Sequence, residues 1–300
     1  MPTGIHPGFR GCRRELQTSE ACSVQVCQQI NGVSGLRGYL REMSHEVARP
    51  IEYSWAFDDG QTARVNDWLG KSVRIQFLGQ KRCVHCGRSV TKLYQAGYCF
   101  PCVTTLAETD LCIVKPEICH FHLGTCRDDQ YGESHCMIPH YVYLAVSSQV
   151  KVGLTRKHRE LTRWMDQGAV GGLLFAEVPN RKAAGELEVE IARELPDKTD
   201  WRKLITGVVA QVDLEALATI VAARLPEQWQ RYLIEQRTVH HLSYPTFDPE
   251  RIGKAKSHSL DKSPVIEGTL IAIRGQYLIF DHGAVQIRKH AGFLCDITVE

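Results

Sequence analysis

The stretch that organises this chain is CVHCGRSVTKLYQAGYCFPC, residues 83–102. It holds two Cys-x2-Cys pairs, Cys83 with Cys86 and Cys99 with Cys102. Each pair suits a tight turn. Two such turns facing each other across a short hairpin present four thiolates to one tetrahedral zinc ion. Gly87, Gly97 and Pro101 put turn formers beside the pairs. A thioredoxin-like dithiol needs one pair rather than two, so structural zinc is the expectation, with buried free thiols as the alternative.

A second group follows, Cys112, Cys119, Cys126 and Cys136, with His120, His122 and His135 interleaved. No two of these cysteines have the two-residue gap, although Cys119 and His122 do. The expectation is a second zinc held by Cys112, Cys119, Cys126 and Cys136, with one or two histidines able to replace a cysteine. Small buried thiols in a loop region are the alternative. Cys12, Cys22, Cys27 and Cys295 have no ligand spacing.

Composition sets the frame. The chain has 300 residues, 43% hydrophobic and 23% charged, which excludes wholesale disorder, collagen and coiled coil. At ~150 residues per domain this is about two domains. No run reaches the ~18–20 apolar residues of a membrane helix. The first residues, MPTGIHPGFRGCRREL, lack an apolar signal core. The expectation is a cytoplasmic protein, where patterned cysteines bind metal rather than form disulfides. The net charge of +2 conceals a local imbalance. Between Asp67 and Glu108 there is no acid, while Lys71, Arg74, Lys81, Arg82, Arg88 and Lys92 are present. Such a basic, zinc-stapled module is expected to grip nucleic-acid phosphates through Lys81, Arg82, Arg88 and Lys92. Tyr94, Tyr98 and Phe100 either stack on bases or form the module's own small core.

The rest reads as α+β. Residues 1–32 read as a poorly ordered extension and 33–80 as β-rich, with strands over Ile51–Phe57 and Val73–Leu78. The zinc modules span 81–138. Residues 139–200 alternate strand and helix signals: strands Tyr141–Ser147, Val150–Leu154 and Leu173–Val178, helices Glu160–Asp166 and Arg181–Leu195. Residues 201–240 read as a helical extension, with one helix over about Trp201–Leu225 and another over Pro226–Arg237. Residues 250–300 are β-rich again and are expected to pair with 33–80 in a small barrel or sandwich.

Residues 141–188 carry the richest chemistry. Tyr141 and Tyr143 share one strand face. Lys151, Gly153 and Thr155 follow, then a basic run with Arg156, Lys157, Arg159 and Arg163. A hairpin presenting tyrosines beside a cationic helix suits a phosphodiester, and a solvated basic face is the plainer alternative. On the helix from Arg181, the apolar stripe is Ala184, Leu187, Ile191 and Leu195. Glu186, Glu190 and Glu194 point away from it. Glu188 sits at its edge, aimed at the protein body, and needs a metal or an ion-pair partner such as Arg163.

The order Val142-Tyr143, Val152-Gly153, Arg163 on a helix and Glu188 on a later helix resembles the GIY-YIG nuclease core. The resemblance implies a tyrosine and an arginine around a scissile phosphate and a glutamate holding Mg²⁺ or Mn²⁺. Tyr143, Gly153, Arg163 and Glu188 match motif positions. Tyr141 replaces the first glycine, Lys151 replaces the second tyrosine, and only residues 144–150 separate the motifs. Lys151 is thus a candidate for phosphate contact, and catalysis is left open. More closely, the chain resembles an uncharacterised prokaryotic family that joins zinc-binding cysteines to such a core. The matching stretches are CVHCGR, QAGYCFPC, DLCIVKPEICH, GTCR, HYVYLA, KVGLTR, TRWMDQGA, GELEVEIA, DKTDW and IRGQYLIFDHG, over about residues 34–290. This resemblance supports the second cysteine set and Glu188. The functions in view are a metal-dependent nuclease, a non-catalytic nucleic-acid binder on a degenerate nuclease core, or a thiol-rich metal-handling or redox protein.

Overall fold

Along β14 (Phe293–Val299) buried and half-buried residues alternate one by one. That is the signature of a strand with one face on a core. β14 runs antiparallel between β1 (Ser34–Tyr39) and β5 (Ser72–Lys81), so that Ile297 is paired with Leu36 on one side and Ile75 on the other. β5 in turn pairs with β11 (Val265–Arg274). β12 (Tyr277–Phe280), β13 (Gly283–Gln286) and β10 (Ser257–His258) complete a seven-stranded sheet, ordered β1-β14-β5-β11-β12-β13-β10. Strands from residues 34–81 and 257–299 therefore share one sheet. Its core includes Ile75, Leu270, Phe280, Val285 and Ile297. A small second sheet, β2 (Ser44–Glu46), β3 (Glu52–Ala56) and β4 (Thr62–Arg64), adds Tyr53 and Trp55 to that core.

This computed structural model describes residues 34–58, 60–195, 200–253 and 255–300. The extension read over residues 1–32, with Cys12, Cys22 and Cys27, lies outside the described residues. Between β5 and the third sheet come α1 (Phe100–Thr105), α2 (Leu111–Val114) and α3 (Asp129–Tyr131). The third sheet is ordered β7-β6-β8-β9, with β6 (His140–Val146), β7 (Val150–Arg156), β8 (Gly171–Val178) and β9 (His240–His241). Helices α4 (Glu160–Asp166), α5 (Arg181–Ala192), α6 (Trp201–Ile205), α7 (Leu214–Arg224) and α8 (Glu227–Gln230) accompany it.

β6 is buried along its whole length. Val142, Leu144 and Val146 pack with Ala184, Leu187 and Ile191 of α5 and with Leu214, Ala218 and Val221 of α7. Tyr143 and Ala145 join the core of the large sheet. A strand covered on both faces reads as a continuous apolar run even in an antiparallel sheet. α5 begins at Asn180, whose side chain accepts the backbone N–H of Ala183 at 2.9 Å.

Two expected helices differ. The single helix over about Trp201–Leu225 is two, α6 and α7. Gly207 takes a φ of 75°, a left-handed conformation that stops a helix. Asp213 then caps a new one, accepting from the N–H groups of Glu215 and Ala216. The helix over Pro226–Arg237 shrinks to α8, because the chain beyond it joins the sheet, Leu233 bridging to Ala176.

Candidate metal centre and arginine-lined cleft

The four sulfurs of Cys83, Cys86, Cys99 and Cys102 all lie within 4.8 Å of one another. Cys86 Sγ and Cys99 Sγ are 3.7 Å apart. Zinc–sulfur bonds of ~2.3 Å put tetrahedral sulfurs ~3.8 Å apart, so this donor set fits zinc. The local chain enforces it. The N–H of Val84 donates to Gly97 O at 2.8 Å, tying one turn to the other. Gly97 has a φ of 113°, and a Cβ there would lie 2.5 Å from Val84 Cγ1. Val90, Leu93, Tyr98 and Leu106 pack on the cysteines, so Tyr98 belongs to the module's core. Phe100 is 62% exposed. Burial works to raise the Cys83 thiol, but the backbone N–H groups of Cys86, Cys99 and His85 outweigh it and hold the thiol below its ordinary value. Cys102 is pushed up, by burial and by the neighbouring thiols.

The second cysteine group also converges. Cys112, Cys119, Cys126 and Cys136 line one void of about 10 Å³, together with Asp110 and His120. Donor atoms of Asp110, Cys112 and His120 lie within 4.8 Å of one another. His135 instead stacks on Tyr131, ring centroids 4.2 Å apart. Burial, then Asp110, pushes the Cys112 thiol up to about 12.

A cleft of about 570 Å³ lies between α4, α5 and the end of β7. Arg156, Arg159, Arg163, Arg181 and Arg288 line it, against Glu42, Asp166 and Glu188. Glu42 pairs with Arg288 at 3.0 Å and Asp166 meets His45 at 2.9 Å. Arg163 and Glu188, matched in sequence to an arginine and a metal-binding glutamate, thus share one cavity.

Tyr143 lies under this cleft rather than in it. It is fully buried, and its hydroxyl donates to Gln167 Oε1 at 2.9 Å. Burial raises its pKa, although the charge of the nearby Arg163 pulls the other way. Gly153, its cross-strand partner, is what lets the ring lie flat on β7: a Cβ would sit 2.5 Å from Tyr143 Cζ and Oη.

Other basic residues stand elsewhere. Lys151 does not line the cleft; it precedes Leu154, the first lining residue of β7, by about 10 Å of strand. Lys157 pairs with Glu177 at 2.8 Å, outside the cleft. Lys81 pairs with Asp261 at 2.5 Å and Arg82 with Asp58 at 3.3 Å. Arg88 and Lys92 are exposed on the cysteine module, Lys92 4.9 Å over the Tyr94 ring.

Sequence reading missed Arg181, Arg288, Glu42 and Asp110. Arg181 had one signal, its place at the start of a helix after a capping Asn180. Arg288 had none, since it reaches the cleft only through the fold of the large sheet. His140 was also missed. It is wholly buried, donates from Nδ1 to Ile138 O at 2.8 Å, and has a pKa pushed down to about 4, by burial first and then by Arg181 and Arg156. Burial and the two arginines thus favour its neutral form.

Comparison with known families places these residues in context. The chain belongs to the DUF2797 family. That family's model, described as Protein of unknown function (DUF2797), matches residues 70–295. The matched span runs from β5 to β14 and so takes in both cysteine groups and most of the cleft. No curated protein and no solved structure matches the chain. Among the described residues, no helix of this DUF2797 protein is long and apolar enough to cross a membrane.

Proposed function

We propose that this protein binds a nucleic-acid strand through the phosphates, in the arginine-lined cleft, and cleaves it with a divalent metal held at Glu188. The observation that carries the reading is the convergence of Arg156, Arg159, Arg163 and Arg181 on one cavity with Glu188. Planar guanidinium groups match phosphate oxygens two at a time. A second hollow of about 660 Å³ shares Glu42, Ile113, Val114 and Arg288 with the cleft and runs on to His85 and Tyr98 of the cysteine module. A continuous groove of that kind suits a polymer better than a single phosphate.

The GIY-YIG-like reading draws support from the order of elements: the β6–β7 hairpin, Arg163 on α4, β8 beside β6, and Glu188 on α5. One carboxylate with waters and substrate phosphates is a sufficient donor set for Mg²⁺ or Mn²⁺. Such an ion supplies charge neutralisation and a nucleophilic hydroxide. Arg163 binds the phosphate, Tyr143 holds Arg163 in place, and the cysteine module grips the strand beyond the cleft. Thiol-based metal sites suit a reducing compartment, in keeping with a cytoplasmic protein.

The test is fluorescence anisotropy with labelled single-stranded DNA and RNA across a salt series. Four arginines on four phosphates give a slope of log K against log salt near −3, from about −0.7 per phosphate. Arg163→Ala and Arg181→Ala should flatten that slope. Binding that ignores salt sinks the reading. For cleavage, wild type with Mg²⁺ or Mn²⁺ nicks the strand while Glu188→Gln binds but does not cut. Equal nicking by both marks a contaminant, and binding without nicking by either leaves a non-catalytic binder.

A further inference from the structure

We propose that the second cysteine group is a mixed-donor zinc site, built on Asp110, Cys112 and His120 and closed by the Cys119 and Cys136 thiols that line the same void, and that it pins one wall of the arginine cleft. The void these side chains line, about 10 Å³, is atom-sized. His120 is oriented for the task. Its Nδ1 meets Thr125 Oγ1 at 2.8 Å, which leaves Nε2 facing Asp110 and Cys112. A metal-ligating histidine is set in this way, by a partner on its other nitrogen. Asp110 is the carboxylate donor on the same side, 3.6 Å from His120 Nε2, and it is held in place by accepting from Arg127 Nε at 2.6 Å and from the N–H of Cys112 at 3.2 Å. Cys126, which the sequence offered as a ligand, is the most exposed of the four thiols, and its sulfur is engaged with Asp128 O at 3.3 Å.

The ligands bracket a short segment, residues 113–118, between Cys112 on one side and Cys119 with His120 on the other. That segment is the cleft wall: Ile113, Val114 and Pro116 line it. It also lies directly on α5. A Cβ at Gly185 would be 2.5 Å from Glu117 N and 2.6 Å from Pro116 Cβ, and Arg181 Nη2 donates to Ile113 O at 2.6 Å. α5 carries both Arg181 and Glu188. Zinc closing the two ends of the segment thus holds it against α5 and sets where those two side chains stand. Zinc loss frees the wall and lets α5 shift. The metal site stands by itself; only its effect on binding rests on the cleft being a phosphate site.

The experiment is elemental analysis of the purified full chain, followed by hydrogen exchange. Wild type holds two zinc ions. Cys112→Ser, His120→Ala and Cys136→Ser hold one, and Cys126→Ser keeps two. One ion in wild type, or a second ion lost in Cys126→Ser and kept in His120→Ala, overturns the site. To avoid relying on variants, wild type is also titrated with a zinc chelator until one ion remains. Exchange should then rise by at least tenfold at residues 113–118 and 181–188 and stay unchanged in β14. Unchanged exchange there overturns the clamp. Affinity for labelled single-stranded DNA should fall at least threefold in the one-zinc form. If wild type does not bind that DNA at all, the cleft reading fails while the zinc count and the exchange data still decide the site.

Discussion

Replacing Gly153 with alanine puts a methyl carbon 2.5 Å from both Cζ and Oη of Tyr143 and 2.9 Å from its Cε2. Ordinary contact begins near 3.5 Å, so about an ångström must be found. The ring has little room to give. It is fully buried, with Trp164 edge-on at 5.8 Å between centroids. Overpacking of this kind costs about 1–3 kcal/mol. Moving the ring also breaks the bond to Gln167, and a buried hydroxyl left unpaired adds about 1 kcal/mol or more. The expected loss is about 2–4 kcal/mol, a large share of the ~5–15 kcal/mol that folds a domain. Urea unfolding of the zinc-loaded protein reads it as a lower midpoint at unchanged slope. A double-mutant cycle with Tyr143→Leu isolates the cause, because a smaller side chain leaves room for the methyl. Gly153→Ala should then cost about 2 kcal/mol less than in wild type. An unchanged midpoint, or the same loss in both backgrounds, refutes the steric argument. It would mean that Gly153 serves a ligand approaching β7 instead, and binding rather than stability would suffer.

Three further outcomes are expected. Burial works against ionising Asp166, yet its hydrogen bonds with His45 and Gln276 hold its carboxyl below the ordinary value. A depressed carboxylate adds stability above its unfolded pKa of about 3.9, and that stability fades as pH falls through the folded value. Asp166→Asn should therefore be about 1–2 kcal/mol less stable than wild type near neutrality, and the gap should close below about pH 3; a gap that persists in acid rules this out. Cys99→Ser should release the first zinc and expose the module to limited proteolysis between β5 and α1, measured by mass spectrometry; an intact, zinc-free module would show that the metal is dispensable. Gly185→Ala normally favours a helix by about 1 kcal/mol. Here, with Glu117 N in the way, it should cost about 1–3 kcal/mol in thermal unfolding, and a stabilised variant would show that the cleft wall does not press on α5.

The first metal cluster was legible because its geometry is local. Two Cys-x2-Cys turns and a Gly97 that must be left-handed bring four sulfurs together with little help from distant chain. The period-two pattern of β14 was legible for the same reason. The second group was only half legible. Its spacing brought out the cysteines, but that Asp110 and His120 stand beside Cys112 while His135 stacks on Tyr131 turns on which side of a loop each residue faces. Helix lengths in residues 201–237 misled because apolar spacing continued through Gly207, whose backbone conformation broke the helix all the same.

Sequence by itself determined the α+β class, the Cys83–Cys86–Cys99–Cys102 cluster and the candidate pair Arg163 and Glu188, since these depend on short-range turn chemistry and on the period of buried residues. Only the tertiary structure decided that Arg156, Arg159, Arg163 and Arg181 meet Arg288 around one cavity, and that Lys151 does not line it. It also placed Tyr143 wholly in the core, with its hydroxyl on Gln167. The physical reason is reach. Which charges share a cavity depends on how sheets and helices pack, and that packing is set by buried faces whose partners lie far away along the chain.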